Sequence, residues 1–427
     1  MWRRVSSTCH SLPLHLVRTK SRFGENKVPT ELEDDESLST SASVAHGKRR
    51  VIVFVSNDAW FFVSHRLPIA VRAAKEGYDV HVIARGDAMA ERIRVAGCRF
   101  HPWKVDPRGN NPRNEWRAFH HLGFLLRIIG PDVAHFITVK PVLYGGLWAR
   151  WLKVPTVVYA ISGLGAVFVG DEKRARLLRR VVLPIYGRAL KHPHATVLFQ
   201  NPSDRDTLIK LFPGLPASIS MIRGSGVDLT AFQALQEPAE EPIVVTLAAR
   251  LLRDKGIVEF VDAARLVIAE LGSEKIRFRI AGGFGGAGNP AALDEADVEH
   301  LAADGAVKFF GPCTDIAMLY AGSHIVCLPS WREGLPKSLV EAAAAGRAVV
   351  TTDVPGCRDA IEPGITGILV PVSNAVALGD AILELARDSN TRQRMGAAGR
   401  LLAEREFDLH RIIDQHMKIY ADLLNRY

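Results

Sequence analysis

Two glutamates stand eight residues apart in the stretch PSWREGLPKSLVEAAAAG, residues 329–346. Glu333 follows the apolar run HIVCLPS, and Glu341 opens an alanine-rich segment of helical character. A pair at this spacing arises by chance in a long chain, and Glu341 could simply pair with Lys337 one turn earlier. The setting suggests more. A strand ending at Ser330 delivers Glu333 to the carboxyl edge of a sheet, where ligands of α/β folds sit. The GLPK turn between the carboxylates opens a helix whose free amides and dipole favour phosphate. Arg250 and Lys255, in AARLLRDKG, leave that edge at the end of another strand-like run, IVVTLAAR. Two cations and a helix start converging on one spot would hold a diphosphate. The plain alternative is a pair of solvated surface cations.

A glycine-rich motif points elsewhere. GGFGGAG, after RFRIAG, places Gly283, Gly285 and Gly288 at the spacing of a dinucleotide fingerprint. That fingerprint needs an acid at the end of the next strand to hold the ribose, and VKFFG ends without one. The acids that follow the glycines (Asp294, Glu295, Asp297, Glu299) would repel a pyrophosphate. A glycine loop without nucleotide chemistry is the better reading.

The elements around these residues alternate. VIVFVS, YDVHVIA, RFHPWKV, DVAHFIT, TVVYAIS and ATVLFQN read as buried strands, with helices between them. SHRLPIAVRAAKEG reads as the first helix, capped by Ser64 and closed by Gly77. After a Pro- and Glu-rich linker the pattern resumes with IVVTLAAR, RFRIAGG, VKFFG, HIVCLPS and AVVTTD, and the chain ends in helices. Such βαβ series build parallel sheets covered on both faces. The expectation is α/β: two doubly wound, Rossmann-like domains with an interdomain cleft. The first spans residues 49–228 and the second 229–408. A last helix, 409–427, packs back toward the first.

The chain has 427 residues, 48% hydrophobic and 23% charged, the composition of an ordinary globular protein. No apolar run reaches the roughly 18–20 residues needed to span a bilayer. Five cysteines at no metal-ligand spacing fit a reducing compartment better than a disulfide framework. Charge is uneven. Residues 49–228 carry 27 basic and 13 acidic side chains, a net +14, whereas residues 229–427 carry 20 and 27, a net −7. The first half therefore suits an anionic partner: membrane surface, nucleic acid or phosphorylated substrate. Residues 1–48 begin basic and Ser-containing and continue as polar low-complexity sequence. They resemble a transit peptide superficially and lack the apolar core of a secretory signal. A dispensable disordered extension is the expectation.

Together, Glu333, Glu341, Arg250 and Lys255 resemble the retaining glycosyltransferases of family 4, which have the two-domain GT-B fold. The likeness covers nearly everything from residue 50 onward. By this resemblance Glu341 accepts the ribose hydroxyls of a nucleotide and Glu333 contacts hydroxyls of the donor sugar. Arg250 and Lys255 bind the donor diphosphate, beside Gly334, Leu335, Lys337 and Ser338 at the helix start. SNDAWFFVSHRLPIA, VKPVLYGGLWAR, AISGLGAVF and FQNPSDRD look like the branch that extends bacterial capsule, O-antigen or related lipid-linked glycans. That branch implies a UDP-sugar donor, a hexose or N-acetylhexosamine, and an acceptor on polyprenyl diphosphate. Two departures stand out. NDAWFF replaces the family's Gly-Gly after the first strand, and Ile137 stands where many relatives have a second histidine. His65, Lys140 and His135 are the acceptor-side candidates that remain.

The chemistry implied is stabilisation of UDP as it leaves an oxocarbenium-like sugar, with the cations in place of a metal. No Asp-x-Asp motif stands at a strand end. No cofactor, no metal and no nucleic-acid partner are expected, and front-face retaining substitution is the default mechanism. A nucleotide-sugar epimerase shares the architecture but would not need so basic a first domain. A catalytically silent sugar-nucleotide or membrane-binding module is the other alternative. Finally, DEKRARLLRRVVLPIYGRALKH places Leu177, Leu178, Val181, Val182 and Ile185 on one helical stripe flanked by Arg176, Arg179 and Arg180. Such a basic amphipathic helix can lie on an anionic leaflet. The expected location is the cytoplasm, peripheral on the inner face of the cytoplasmic membrane.

Overall fold

The computed structural model describes residues 49–426 other than 108, 110, 164–172, 216–217, 240 and 286–288. Its strands form two all-parallel sheets within one contact unit, Arg50–Tyr427. The first contains β1 (Val51–Asp58), β2 (Asp79–Arg85), β3 (Arg99–Pro102), β4 (Val133–Ile137), β5 (Thr156–Ile161), β6 (Ala195–Phe199) and β7 (Ser218–Met221), in the order β3-β2-β1-β4-β5-β6-β7. The second contains β8 (Ile243–Ala248), β9 (Ile276–Ala281), β10 (Val307–Phe309), β11 (Ile325–Leu328), β12 (Ala348–Thr352) and β13 (Gly367–Val370), ordered β10-β9-β8-β11-β12-β13. Both are doubly wound. The central strands are apolar on both faces because helices cover both; Ile52, Val53, Phe54 and Val55 of β1 are fully buried.

In each sheet the direction of winding reverses once, between β1 and β4 and between β8 and β11. A crevice opens outside the carboxyl ends of those four strands. The candidate residues lie just beyond these ends: His65 after β1, Lys140 after β4, Arg250 and Lys255 after β8, and Glu333 after β11.

The helices of the first half are α1 (Ala59–His65), α2 (Leu67–Lys75), α3 (Ala90–Val95), α4 (Pro112–Ile129), α5 (Val139–Trp151), α6 (Lys173–Leu190) and α7 (Pro202–Leu211). Those of the second are α8 (Ile257–Leu271), α9 (Glu295–Ala302), α10 (Ile316–Ala321), α11 (Lys337–Ala344), α12 (Ala375–Arg387) and α13 (Ser389–Leu402). The last helix, α14 (Leu409–Asn425), returns to the first half and buries Ile412, Met417 and Tyr420 against Ile52, Phe54 and Val82.

The structure corrects one helix start. Ser64 does not cap; helical structure begins at Ala59, and Asp58 accepts from the Phe61 amide at 2.7 Å. The NDAWFF segment is thus a capped helix start in place of a glycine turn. Beyond it, α1 and α2 are separate, and Pro68 sits in the first turn of α2, where it sacrifices no amide. In the glycine-rich segment, Asp294 and Asp297 form a reciprocal capping box at the start of α9. The helix's own acids fill the seat a pyrophosphate would take; Gly288 lies outside the described residues.

Candidate active site

Two loops of the second half meet first. The turn after β8 ends at Gly256, whose φ is +72°, and a Cβ there would lie 2.1 Å from the Pro329 carbonyl. Only glycine satisfies both the left-handed backbone and this approach. The Trp331 amide donates to the Asp254 carbonyl at 2.9 Å and Ser330 Oγ to the same oxygen at 3.0 Å, tying the loops together. Their joining sets the Lys255 ammonium on the Glu333 carboxylate in a mostly buried ion pair.

The GLPK turn is held from both halves. A Cβ on Gly334 would come 2.7 Å from the Ser162 carbonyl of the first half, so this position tolerates no side chain. Asn201 caps α7 through Oδ1 and donates from Nδ2 to the Gly334 carbonyl at 2.7 Å. No side chain caps the start of α11, whose first residues are Lys337 and Ser338. One turn on, Lys337 Nζ lies 3.3 Å from Glu341 Oε1 and 3.3 Å from the Ser64 carbonyl across the cleft. Glu341 is buried, which raises its pKa; the ammonium of Lys337 opposes that shift. The sequence's plain alternative, the Lys337–Glu341 pair, therefore exists and sits inside the cleft.

Across from this turn, His65 stacks on Phe61 with ring centroids 4.2 Å apart and donates from Nδ1 to the Phe61 carbonyl at 3.1 Å. Burial, then the Arg66, Lys337 and Arg250 charges, push its pKa down to about 3. The imidazole is neutral, with Nε2 left as an acceptor. Arg250 is exposed at this spot. The structure thus brings Arg250, Lys255, Glu333, Gly334, Leu335, Lys337, Ser338, Glu341 and His65 to one mouth between the carboxyl edges of the two sheets.

Two candidates do not belong there. His135 is fully buried in the middle of β4; its Nδ1 lies 2.7 Å from the Tyr420 hydroxyl and its ring faces His416, so it ties α14 to the sheet. Lys140 stands at the sheet edge, but its three protons go to the Asp106 carbonyl (2.8 Å), the Gly109 carbonyl (2.7 Å) and Glu115 (2.8 Å). It braces the loop before α4. On α6, Arg180 is exposed, whereas the side chains of Arg176 and Arg179 lie outside the described set. The far end of α6 is core: Tyr186, Ala189 and Leu190 are buried. Sequence reasoning missed Asn201 and the Ser64 and Ser162 carbonyls, since backbone acceptors and a helix cap leave no signature of a cleft.

Two family models match the halves separately, "Glycosyl transferase 4-like" over residues 51–201 and "Glycosyl transferases group 1" over residues 242–388. The chain belongs to the family 4 glycosyltransferases. It is similar to the N,N'-diacetylbacillosaminyl-diphospho-undecaprenol alpha-1,3-N-acetylgalactosaminyltransferase of Campylobacter jejuni, 28% identical over 86% of this chain and 98% of that one. It also matches the capsular polysaccharide biosynthesis glycosyltransferase CapM of Staphylococcus aureus, at 24% identity over 82% of this chain and 91% of that one. Among solved structures, Anabaena HepE in complex with UDP and glucose superimposes with a TM-score of 0.67 at 17% identity, over 87% of this chain and 99% of that one. This glycosyltransferase accordingly has the GT-B fold.

Proposed function

We propose that this glycosyltransferase moves a hexosyl or N-acetylhexosaminyl group from a UDP-sugar to a saccharide carried on polyprenyl diphosphate, with retention at the anomeric carbon, in bacterial surface polysaccharide assembly of the O-antigen or capsule type. The observation that carries the reading is the pair of lysine–carboxylate contacts, Lys255–Glu333 and Lys337–Glu341, on the two sides of a turn that starts a helix. Donor binding would divide each pair. The ammonium groups turn to phosphate oxygens, and the carboxylates take hydroxyls, Glu341 from ribose and Glu333 from the transferred sugar. Arg250 and the amides of Leu335, Lys337 and Ser338 complete the diphosphate seat. Charge placed in advance on a departing phosphate is worth about 3–4 kcal/mol per donor removed.

The acceptor lies on the side of the first half, whose cleft wall is a neutral imidazole and backbone carbonyls. A relative that acts on a diphospho-undecaprenol sugar, and a fold neighbour seen with UDP and glucose, support these substrate classes. Metal independence belongs to the reading, because lysines already neutralise the carboxylates nearest the phosphate seat. So does a cytoplasmic site on the inner membrane face, with Arg176, Arg179 and Arg180 of α6 toward anionic lipid; among the described residues no helix is long and apolar enough to cross a membrane. A screen of nucleotide sugars with a polyprenyl-diphosphate monosaccharide, followed by NMR of the product's anomeric proton, tests it. An axial linkage from an axial donor is expected. Inversion, or UDP release that ignores the acceptor, overturns it.

A further inference from the structure

The outer face of α4 carries large apolar side chains that no other described residue covers. Ala118, Leu122 and Leu126 turn inward and are buried, and Gly123 lets α5 approach so closely that a Cβ there would strike the Trp148 ring at 2.2 Å. On the opposite side Trp116, Phe124 and Ile128 are 60–66% exposed, at four- and eight-residue steps with His120 between them. The stripe continues onto α5. Trp116 meets His120 at 4.1 Å between ring centroids, His120 meets Trp148 at 5.9 Å, and Trp148 meets Trp151 at 5.1 Å; Trp151 is itself 62% exposed.

Charge accompanies the rings. Arg113, Arg117 and Arg127 are exposed on α4 and pair with no carboxylate among the described residues. The helix's one acid, Glu115, is turned away into Lys140 and Tyr144. Next to Trp151, Arg150 joins Arg188 and Lys191 around an open groove of about 630 Å³ floored by Leu183, Phe212 and Leu215.

We propose that this face, α4 with Trp151 and the adjoining basic groove, is the surface on which the protein rests against an anionic lipid bilayer. Exposed apolar patches of this extent mark interaction sites. Indole rings interspersed with unpaired arginines, and no acid, match the headgroup region of an anionic leaflet, where tryptophan sits at the boundary and arginine meets phosphate. The orientation is productive on the function proposed above, on which this inference rests for its purpose. The Lys140–Glu115 tie puts the first turn of α4 at the carboxyl edge of the first sheet, so a lipid-held acceptor lies near the cleft mouth.

Flotation of the full chain with vesicles of equal parts phosphatidylglycerol and phosphatidylcholine tests the assignment. Trp116→Ala/Phe124→Ala/Ile128→Ala and, separately, Arg113→Glu/Arg117→Glu/Arg127→Glu should each lower vesicle affinity by about tenfold or more. Circular dichroism and the oligomeric state should stay unchanged, and transfer to a short soluble acceptor should persist. Pure phosphatidylcholine vesicles and high salt should release the unmodified protein. Undiminished binding by both variants overturns the proposal, and so does a dimer that the aromatic variant dissociates while vesicle binding persists. Vesicle binding that the variants abolish in a protein without transferase activity would leave this surface standing and remove the proposed function instead.

Discussion

The carboxyl edges of the two sheets face the same cleft with different equipment. The second sheet presents paired charge: Lys255 on Glu333 and Lys337 on Glu341, with Arg250 exposed beside them. Toward them the first presents mainly uncharged groups among the described residues, its own Lys140–Glu115 pair bracing the loop before α4. It offers the Ser64 and Ser162 carbonyls, the Asn201 amide and a His65 held neutral to about pH 3. On the proposed function the difference separates two tasks. A diphosphate needs cations already in place, whereas an acceptor hydroxyl needs shape and a neutral hydrogen-bond partner that does not compete for the phosphate. The net charges run the other way, +14 in the basic first half and −7 in the second. Described positive charge of the first half lies on α4, outside the cleft, so on the proposed function net charge alone does not point to the phosphate site.

Breaking the charged edge should have the largest effect. Glu333→Ala and Lys255→Ala remove groups whose partners change as the sugar leaves, and each should lower kcat by about 10²–10³ with a smaller change in KM. Steady-state kinetics with the native donor checks this; an intact kcat for Glu333→Ala would remove its assigned role. Glu341→Ala should be milder and of another kind. A ribose contact acts in ground and transition states alike, so UDP affinity should fall by about tenfold with kcat nearly kept. Titration calorimetry with UDP separates the two classes.

Acid should sharpen the comparison next. Burial first, and neighbouring cations second, hold His65 and His416 neutral down to about 3, while burial, then His416 and Arg66, hold His135 well below its ordinary 6.5. In the unfolded chain each binds a proton near 6.5. Between those values the unfolded state binds more protons, so stability rises with pH and is lost as the solution is acidified from about 6.5 towards 3. All three histidines belong to the first half or to α14 packed on it; the second half has His324, lowered to about 4. Hydrogen exchange on acidification should therefore rise in β1, β4 and α14 before β8 and β11. Equal rise in both halves would show that these histidines do not set the acid limit.

Much of this was legible in the residues, and the parts that were not share a cause. Eleven of the strands announce themselves as apolar runs. The two left out are four residues long: β7, SISM, is half polar, and β13, GILV, is apolar but cut short between Thr366 and Pro371. Arg250 and Glu333 could be placed at the cleft because they stand two and five positions past the ends of β8 and β11, and Lys337 and Glu341 because a helix start follows. The acceptor-side candidates fared worse: His135 alternates into the core with α14, a helix 285 residues away from it at Tyr420, and Lys140 is consumed by a loop. Local spacing records which strand end a residue leaves from. It holds no record of what a distant segment brings to meet it.

The smallest expected effect is none at all, and it bears on the charged edge alone. A divalent ion that bridged the donor phosphates would need carboxylates free to ligate it. The two carboxylates at the phosphate seat are each engaged by a lysine, and no group of three or more His, Cys, Asp or Glu side chains among the described residues is disposed to hold a metal. On the proposed function the ammonium groups would take the role of such an ion, offsetting charge on the β-phosphate as the sugar leaves. Turnover after exhaustive EDTA treatment should match the untreated enzyme across the donor concentration range. Removing a lysine should then create a demand that was absent: Lys255→Ala leaves Glu333 without its cation, and added Mg²⁺ should restore part of the lost kcat in that variant while leaving the unmodified enzyme unaffected. Full loss with EDTA, recovered by Mg²⁺ or Mn²⁺ in the unmodified enzyme, would mean that the second half's cations do not suffice and that a metal ion shares the phosphate site with them.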